Sequence, residues 1–236
     1  IYPTINGFVK VVDLDTFEIV GSIEVGIMPE DLLYKDEYLW VANSGEPFLS
    51  KVSIEENTII ENIYVGEGPL SLSELDSEIY VARTYYDDNW NARYGTSKVP
   101  IDEEHSSLIM EYGQGTACGG SIMKSQGSIF RSYDGGIAPI NQALEIMSDE
   151  KIGSYEASMV YHSDIIDDNI WIALTDYSNI NQIRVLNFFG EEIHTFEVGS
   201  IPGDISKWEV CLFDGDIVSD SMINVSDVVF MVNEII

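Results

Sequence analysis

Val25-Gly26-Ile27-Met28-Pro29, followed after a short gap by Leu39-Trp40-Val41-Ala42-Asn43-Ser44-Gly45, is the stretch that decides the fold. Forty residues later it returns as Val65-Gly66-Glu67-Gly68-Pro69 and Ile79-Tyr80-Val81-Ala82. The same register holds for Val12 and Val52, Ile19 and Ile59, and Ile23 and Ile63. Near the end Ile170-Trp171-Ile172-Ala173 and Val198-Gly199-Ser200-Ile201-Pro202 repeat the two motifs. A weaker copy, Tyr112-Gly113-Gln114-Gly115-Thr116 and then Ile129-Phe130-Arg131-Ser132, lies between them. A fixed period of this length marks stacked supersecondary units, each of which buries its apolar face only against a neighbour.

Each unit reads as four short strands, because its runs are β-branched and aromatic and end at Gly, Pro, Asn or Asp. In the first unit the strands are expected at Pro29–Tyr34, Tyr38–Asn43, Leu49–Ile54 and Thr58–Val65. Four strands per ~40 residues is the arithmetic of a propeller blade. The expected fold is therefore all-β, a β-propeller of about five four-stranded blades, or six or seven if blades are missing at the N-terminus. The fifth blade is expected to be split, with Pro202–Trp208 as its inner strand and residues 1–25 as the rest, which pairs the two termini. Trp40, Tyr80, Phe130 and Trp171 share one repeat position and read as core between blades.

The Val-Gly-x-x-Pro and Leu-Trp-Val-Ala-Asn-Ser-Gly motifs resemble the YVTN-type β-propeller repeat over roughly residues 1–208. The likeness is strong in repeats one, two and the last, and poor across 85–160. It implies a fold and leaves the activity open, since propellers host many unrelated functions.

The chain has 236 residues, 41 acidic and 11 basic, for a formal net charge of −30. A phosphate backbone is repelled by such a surface, which argues against nucleic acid, and an anionic membrane surface is disfavoured likewise. No apolar run approaches the ~20 residues that span a bilayer, so no membrane insertion is expected. At 45% apolar residues the chain is no disordered acidic tail. Much of the charge sits in turns, as in Asp13-Leu14-Asp15, Glu55-Glu56, Asp87-Asp88 and Asp167-Asp168, and reads as a solvated surface, secreted or at the cell surface. Cys118 and Cys211 allow one disulfide and do not fix the redox compartment.

Residues 209–236 differ in character and form a second expected domain, a short loop–helix tail. Asp216, Asp220, Asn224 and Asp227 fall at loop positions 1, 5, 9 and 12, and Met222 at position 7 offers a backbone carbonyl. This spacing resembles half of a dockerin-type module, whose loop binds calcium as an EF-hand does; Val218 and Ser221 stand where that family has Asn or Asp and Gly. The resemblance implies calcium as the cofactor and an attachment role for the tail.

Two constellations remain as candidate sites. In a propeller the innermost strands start at one rim of the channel. Equivalent steps through the repeat place Asp31, Ser71, Cys118, His162 and Asp204 there, types that ligate a metal or pair a nucleophile with a base. The second is the insertion from Thr84 to Gly95, read as a loop, with Tyr85, Tyr86, Asp87, Asp88, Trp90, Arg93 and Tyr94. Flat aromatic faces with carboxylates suit a sugar or peptide ligand. The function expected is a non-catalytic binding module for a glycan or protein. Two alternatives stay open: a channel-centred glycosidase or lyase using carboxylates among Asp31, Glu74, Asp164 and Asp204, and a structural subunit of an extracellular assembly.

Overall fold

The computed structural model describes residues 5–101, 106–115 and 120–207. The described residues up to Ile205 belong to one compact unit, and a second unit begins at Ser206. Cys118, Cys211 and the tail residues Asp216, Asp220, Met222, Asn224 and Asp227 lie outside the described residues, and with them the disulfide and the calcium loop.

Among the described residues the chain is all-β apart from two single-turn 3-10 helices, and its strands form five small antiparallel sheets. The first sheet pairs β1 (Asn6–Val12) with β2 (Ile19–Ile27). The second is a meander of β3 (Pro29–Lys35), β4 (Tyr38–Asn43), β5 (Phe48–Ser53) and β6 (Thr58–Tyr64). The third comprises β7 (Pro69–Leu75), β8 (Glu78–Tyr86), β9 (Ala92–Pro100) and β10 (Leu108–Gln114). The fourth has three strands, β11 (Ile122–Ser125), β12 (Ser128–Tyr133) and β13 (Gly136–Ile140). The fifth is β14 (Val160–Ile166), β15 (Asn169–Thr175), β16 (Asn181–Leu186) and β17 (Glu192–Glu197).

The repeat read from sequence is a repeat of register. Trp40 lies opposite Leu33, Tyr80 opposite Ser73, Phe130 opposite Met123 and Trp171 opposite Asp164. In three sheets the first strand carries an irregularity at the same place, between Pro29 and Asp31, Pro69 and Ser71, and Val160 and His162. A bulge of this kind bends a strand and re-aims a side chain. The tight turns joining first and second strands run through left-handed residues, Asp36-Glu37, Asp76-Ser77 and Asp167-Asp168. Such backbone suits short polar side chains and puts much of the acidic charge at solvent-facing turns.

Apolar faces of successive sheets pack on each other. Val41 and Val52 of the second sheet meet Val9, Ile23 and Val25 of the first. Trp40, Leu49 and Ile63 meet Leu72, Ile79 and Val99 of the third. Leu75 and Tyr80 meet Ile122, Ile129 and Ile140 of the fourth. Met123, Phe130 and Ile137 meet Ile170, Ile172 and Leu174 of the fifth. No sheet encloses a core alone, which is why the chain stacks them.

Three expectations need correction. Residues 202–207 form no regular strand, so the inner strand foreseen there is absent; β1 pairs only with β2, and no ladder reaches 202–207. The fourth sheet lacks its outer strand. The chain after Ile140 covers that edge instead, with Leu144 fully buried and Ile152 exchanging both backbone hydrogen bonds with Ile137 at 2.8 and 2.9 Å. The Thr84–Gly95 insertion is no loop. It extends the β8–β9 hairpin through Thr84–Tyr94, Tyr85–Arg93 and Tyr86–Ala92 pairs, leaving only residues 87–91 as its tip.

Candidate functional site

Polar side chains reach from one sheet to the next, Asp31 and Ser71 from beside the bulges and Ser121 from just before β11. Asp31 accepts the Leu72 N–H through Oδ2 at 2.7 Å and its own Leu32 N–H through Oδ1 at 2.7 Å. Ser71 Oγ accepts the Ile122 N–H at 3.3 Å, and Ser121 Oγ accepts the Ser163 N–H at 3.0 Å. Ser121 Oγ also lies 3.3 Å from His162 Nδ1, and His162 Nε2 lies 3.6 Å from Asp204 Oδ1. Asp204 and Asp164 each accept the following backbone N–H, at 2.8 and 2.7 Å. The row of inter-sheet polar residues therefore reads Asp31, Ser71, Ser121, His162, Asp204. Ser121 holds the register position proposed for Cys118. It lies nine residues before Phe130, as Asp31, Ser71 and His162 lie nine before Trp40, Tyr80 and Trp171. The same count finds it from sequence.

Burial dominates the electrostatics of this row. It raises the carboxyls of Asp31 and Asp164 above the usual range, against the pull of their backbone donors. It lowers the imidazolium of His162, while Asp204, Asp164 and Asp31 oppose that shift. Ser121, His162 and Asp204 have the composition of a hydrolytic triad and not its access. Ser121 Oγ already holds the Ser163 N–H, and Ser121 lines neither of the two cavities that flank Thr84. Glu74 is engaged by Lys124 at 2.6 Å and Lys35 at 3.6 Å. Among the described residues no group of His, Cys, Asp and Glu is arranged to hold a metal ion.

The hairpin gathers most of the aromatic candidates. Asp87 organises its tip, accepting the Asn89 and Asn91 N–H groups at 2.9 and 3.0 Å through Oδ1, and Arg93 Nε at 2.9 Å through Oδ2. These donors, the Asn91 backbone first, hold its carboxyl down at about 2. Trp90 sits at φ +62° and tilts toward Tyr86, with ring centroids 6.3 Å apart. Trp90 is 71% exposed and Tyr86 46%. Tyr85, Tyr86, Asp87, Asp88 and Trp90 line a cleft of about 570 Å³ together with Glu30, Glu67 and Leu70. Ligand pockets commonly fall between ~300 and ~1,000 Å³. The cleft lining holds carboxylates and no Lys or Arg. Gly68 makes the cleft floor, at φ +67°, where a Cβ would lie 2.0 Å from the Thr84 carbonyl oxygen. Arg93 and Tyr94 are not part of it. Arg93 is spent on Asp87, and Tyr94 lines a separate, smaller hollow.

Sequence reading missed Arg83 and Arg131, both fully buried. Arg83 donates to the Met110 carbonyl at 3.1 Å and pairs with Glu111. Arg131 occupies the repeat position held by Val41, Val81 and Ile172 in the other complete sheets, each 0% exposed. A cation at an otherwise aliphatic position was the signal available.

No family model and no curated protein matches the sequence. Solved structures do share the fold. Hydrazine synthase of Kuenenia stuttgartiensis aligns over 76% of this chain and 56% of its own, with TM-score 0.58 and 18% identity. Hsv2p of Kluyveromyces lactis aligns over 81% of this chain and 64% of its own, with TM-score 0.51 and 10% identity. The computationally designed Ika8 protein aligns over 83% and 70%, with TM-score 0.50 and 10% identity. The chain thus spans little more than half the length of the first of these, 56%. Hydrazine synthase and Hsv2 are β-propeller folds. At such identities the likeness speaks of fold alone, and the fold is propeller-like.

Proposed function

We propose that this chain is a non-catalytic binding scaffold whose ligand lies in the cleft of Tyr85, Tyr86, Asp88 and Trp90. One observation carries the reading. Two exposed aromatic rings share the lining of a ligand-sized cleft with Glu30 and Glu67. Aromatic faces stack on the apolar faces of sugar rings, and carboxylates accept the hydroxyls. The fitting ligand is a neutral glycan. A basic side chain of a protein partner is the second reading, favoured by the absence of Lys and Arg from the cleft lining. The glycosidase or lyase reading has less support, because both oxygens of Asp31, and one each of Asp164 and Asp204, already accept backbone N–H groups.

The rest of the proposal follows the repeat. The sheets form a YVTN-type ring of about five blades, displayed on a secreted or cell-surface protein. The 209–236 segment is its calcium-type attachment module, and an extracellular assembly is the setting that suits it. A glycan array and a peptide array probed with the intact chain test the central claim. Trp90→Ala and Tyr86→Ala are each expected to weaken binding about tenfold without lowering the melting temperature. Binding that survives both substitutions unchanged, or no binding on either array, overturns it.

A further inference from the structure

We infer that the smaller hollow, lined by Tyr94 and Arg131, is an anion subsite, in which Arg131 receives the carboxylate of a small organic acid of monosaccharide size. This claim stands apart from the aromatic cleft, with which the hollow shares only Thr84 in its wall.

Arg131 is placed where the fold calls for an aliphatic side chain, as Val41, Val81 and Ile172 show. Scaffold needs alone would put Val or Ile there. The residue is 1% exposed, and hydrogen bonds hold its guanidinium through Nε and Nη1. Its Nε donates to the Ser132 carbonyl at 3.2 Å, and its Nη1 to the Gly95 carbonyl and Thr96 Oγ1, both at 2.6 Å. The rings of Tyr94 and Tyr112 lie over it, each 5.2 Å from centroid to guanidinium carbon. Every one of these partners is neutral. Among the described residues no carboxylate pairs with Arg131, although the chain carries 41 acidic residues. Arg83 adds a like charge that opposes that of Arg131, and Glu111 pairs with Arg83. A buried cation without a counter-ion is costly, and a bound anion relieves that cost. Burial pulls the guanidinium below its ordinary range, the direction an uncompensated charge gives.

The guanidinium lines a hollow of about 290 Å³ together with Tyr94, Tyr133, Gly120, Gly136 and Val160. That volume admits one sugar-sized molecule. The hollow offers aromatic and aliphatic wall for a carbon skeleton and one cation for one charge. Asp134, also in the lining and paired with Lys151 at 2.8 Å, penalises a dianion such as phosphate. A monoanionic hydroxy acid, such as a uronate, matches both features.

The test is calorimetric titration of the intact chain with sodium glucuronate, sodium galacturonate and sodium acetate, with glucose as the uncharged counterpart. At least one uronate is expected to bind saturably and at least about tenfold more tightly than glucose, the factor expected when a hydrogen bond to a charged group is lost. Acetate binding as tightly as the uronates overturns the sugar-sized ligand and leaves a bare carboxylate site. Arg131→Met is expected to abolish uronate binding, and Arg131→Lys to restore part of it. Ala157→Phe, which fills the hollow from its wall without touching the guanidinium network, is expected to block binding even if Arg131→Met fails to fold. Glucose binding as well as the uronates, uronates failing to bind at millimolar concentration, or binding that persists in Ala157→Phe refutes the site. None of these acids is the aromatic cleft's ligand, so Trp90→Ala is expected to leave uronate binding unchanged, and the two readings fail separately.

Discussion

Ser121→Ala tests the row of inter-sheet polar residues in its most exposed assumption, that one polar side chain ties its sheet to the next. The substitution removes one oxygen and little volume. Two partners are stranded by it. The Ser163 N–H, in a residue 2% exposed, loses its acceptor at 3.0 Å. His162 Nδ1 loses a neighbour at 3.3 Å. A buried donor left unsatisfied costs roughly 1–3 kcal/mol, and an ordinary hydrogen bond contributes about 1 kcal/mol. The expected loss is therefore about 2–3 kcal/mol, or roughly 5–10 °C of melting temperature for a domain of this size. Ser71→Ala is the control. Its bond to Ile122 is longer, 3.3 Å, and Ser71 is only half-buried, so water replaces the oxygen and the cost stays below about 1 kcal/mol. Urea unfolding of both variants, with the denaturant slope unchanged, separates stability from a change in compactness. A Ser121→Ala loss no larger than that of Ser71→Ala refutes the strap, and with it the register that places Ser121 in the row.

The remaining predictions concern the same scaffold. His162 has its folded pKa depressed by burial, so the unfolded chain takes up that proton first and the histidine's contribution to stability is lost as pH falls below about 6.5. Asp31 and Asp164, raised by burial, act with the opposite sign, their contribution being lost as pH climbs from about 3.8 through their folded values. His162→Gln is expected to flatten the decline between pH 6.5 and 5 in urea titrations, and an unchanged slope rejects the assignment. Trp40→Ala is expected to cost about 3–5 kcal/mol, since Trp40 is 0% exposed within the core between two sheets. Trp171→Ala, at the same repeat position but stacked on the exposed Phe196 at 5.8 Å, is expected to cost less; equal losses on thermal unfolding deny that burial sets the difference. Gly68→Ala is expected to destabilise by about 1–3 kcal/mol and to impair cleft binding, because a Cβ there meets the Thr84 carbonyl oxygen; wild-type melting refutes the strain.

The sheets were legible because their signals are local and repeated. Tyr38–Asn43 is observed with the bounds expected for it, and Pro29–Lys35 and Phe48–Ser53 differ from expectation by one residue. The burial of Trp40, Tyr80 and Phe130 follows from their shared register. Legibility failed where the repeat is interrupted. Counting forward from Thr116 through a degenerate copy led to Cys118, whereas counting back from Phe130 leads to Ser121. Asp87-Asp88-Asn89 has the composition of coil, and sequence could not show that its flanks pair in register on either side. The aromatic candidates were found as a group, but Tyr94 lines the smaller hollow and Trp90 the larger cleft, a division that residue spacing does not show.

In a repeat fold, positions that obey the repeat report on stacking, and positions that break it must be explained by something stacking does not require. Leu33, Trp40, Ile79 and Ile172 obey, and each is absorbed into a core between sheets. Three departures resist that explanation. The β8–β9 hairpin outgrows its counterpart, running to Tyr86 where β4 stops at Asn43, the equivalent of Arg83. The fourth sheet trades its outer strand for a covering segment. Arg131 replaces an aliphatic residue. The first and third meet at Thr84: the lengthened hairpin supplies lining to both hollows, and Arg131 charges the smaller one. They are the physical reason to look for ligands at this hairpin before the row of Asp31, Ser71 and Ser121, whose oxygens are occupied in holding sheet to sheet.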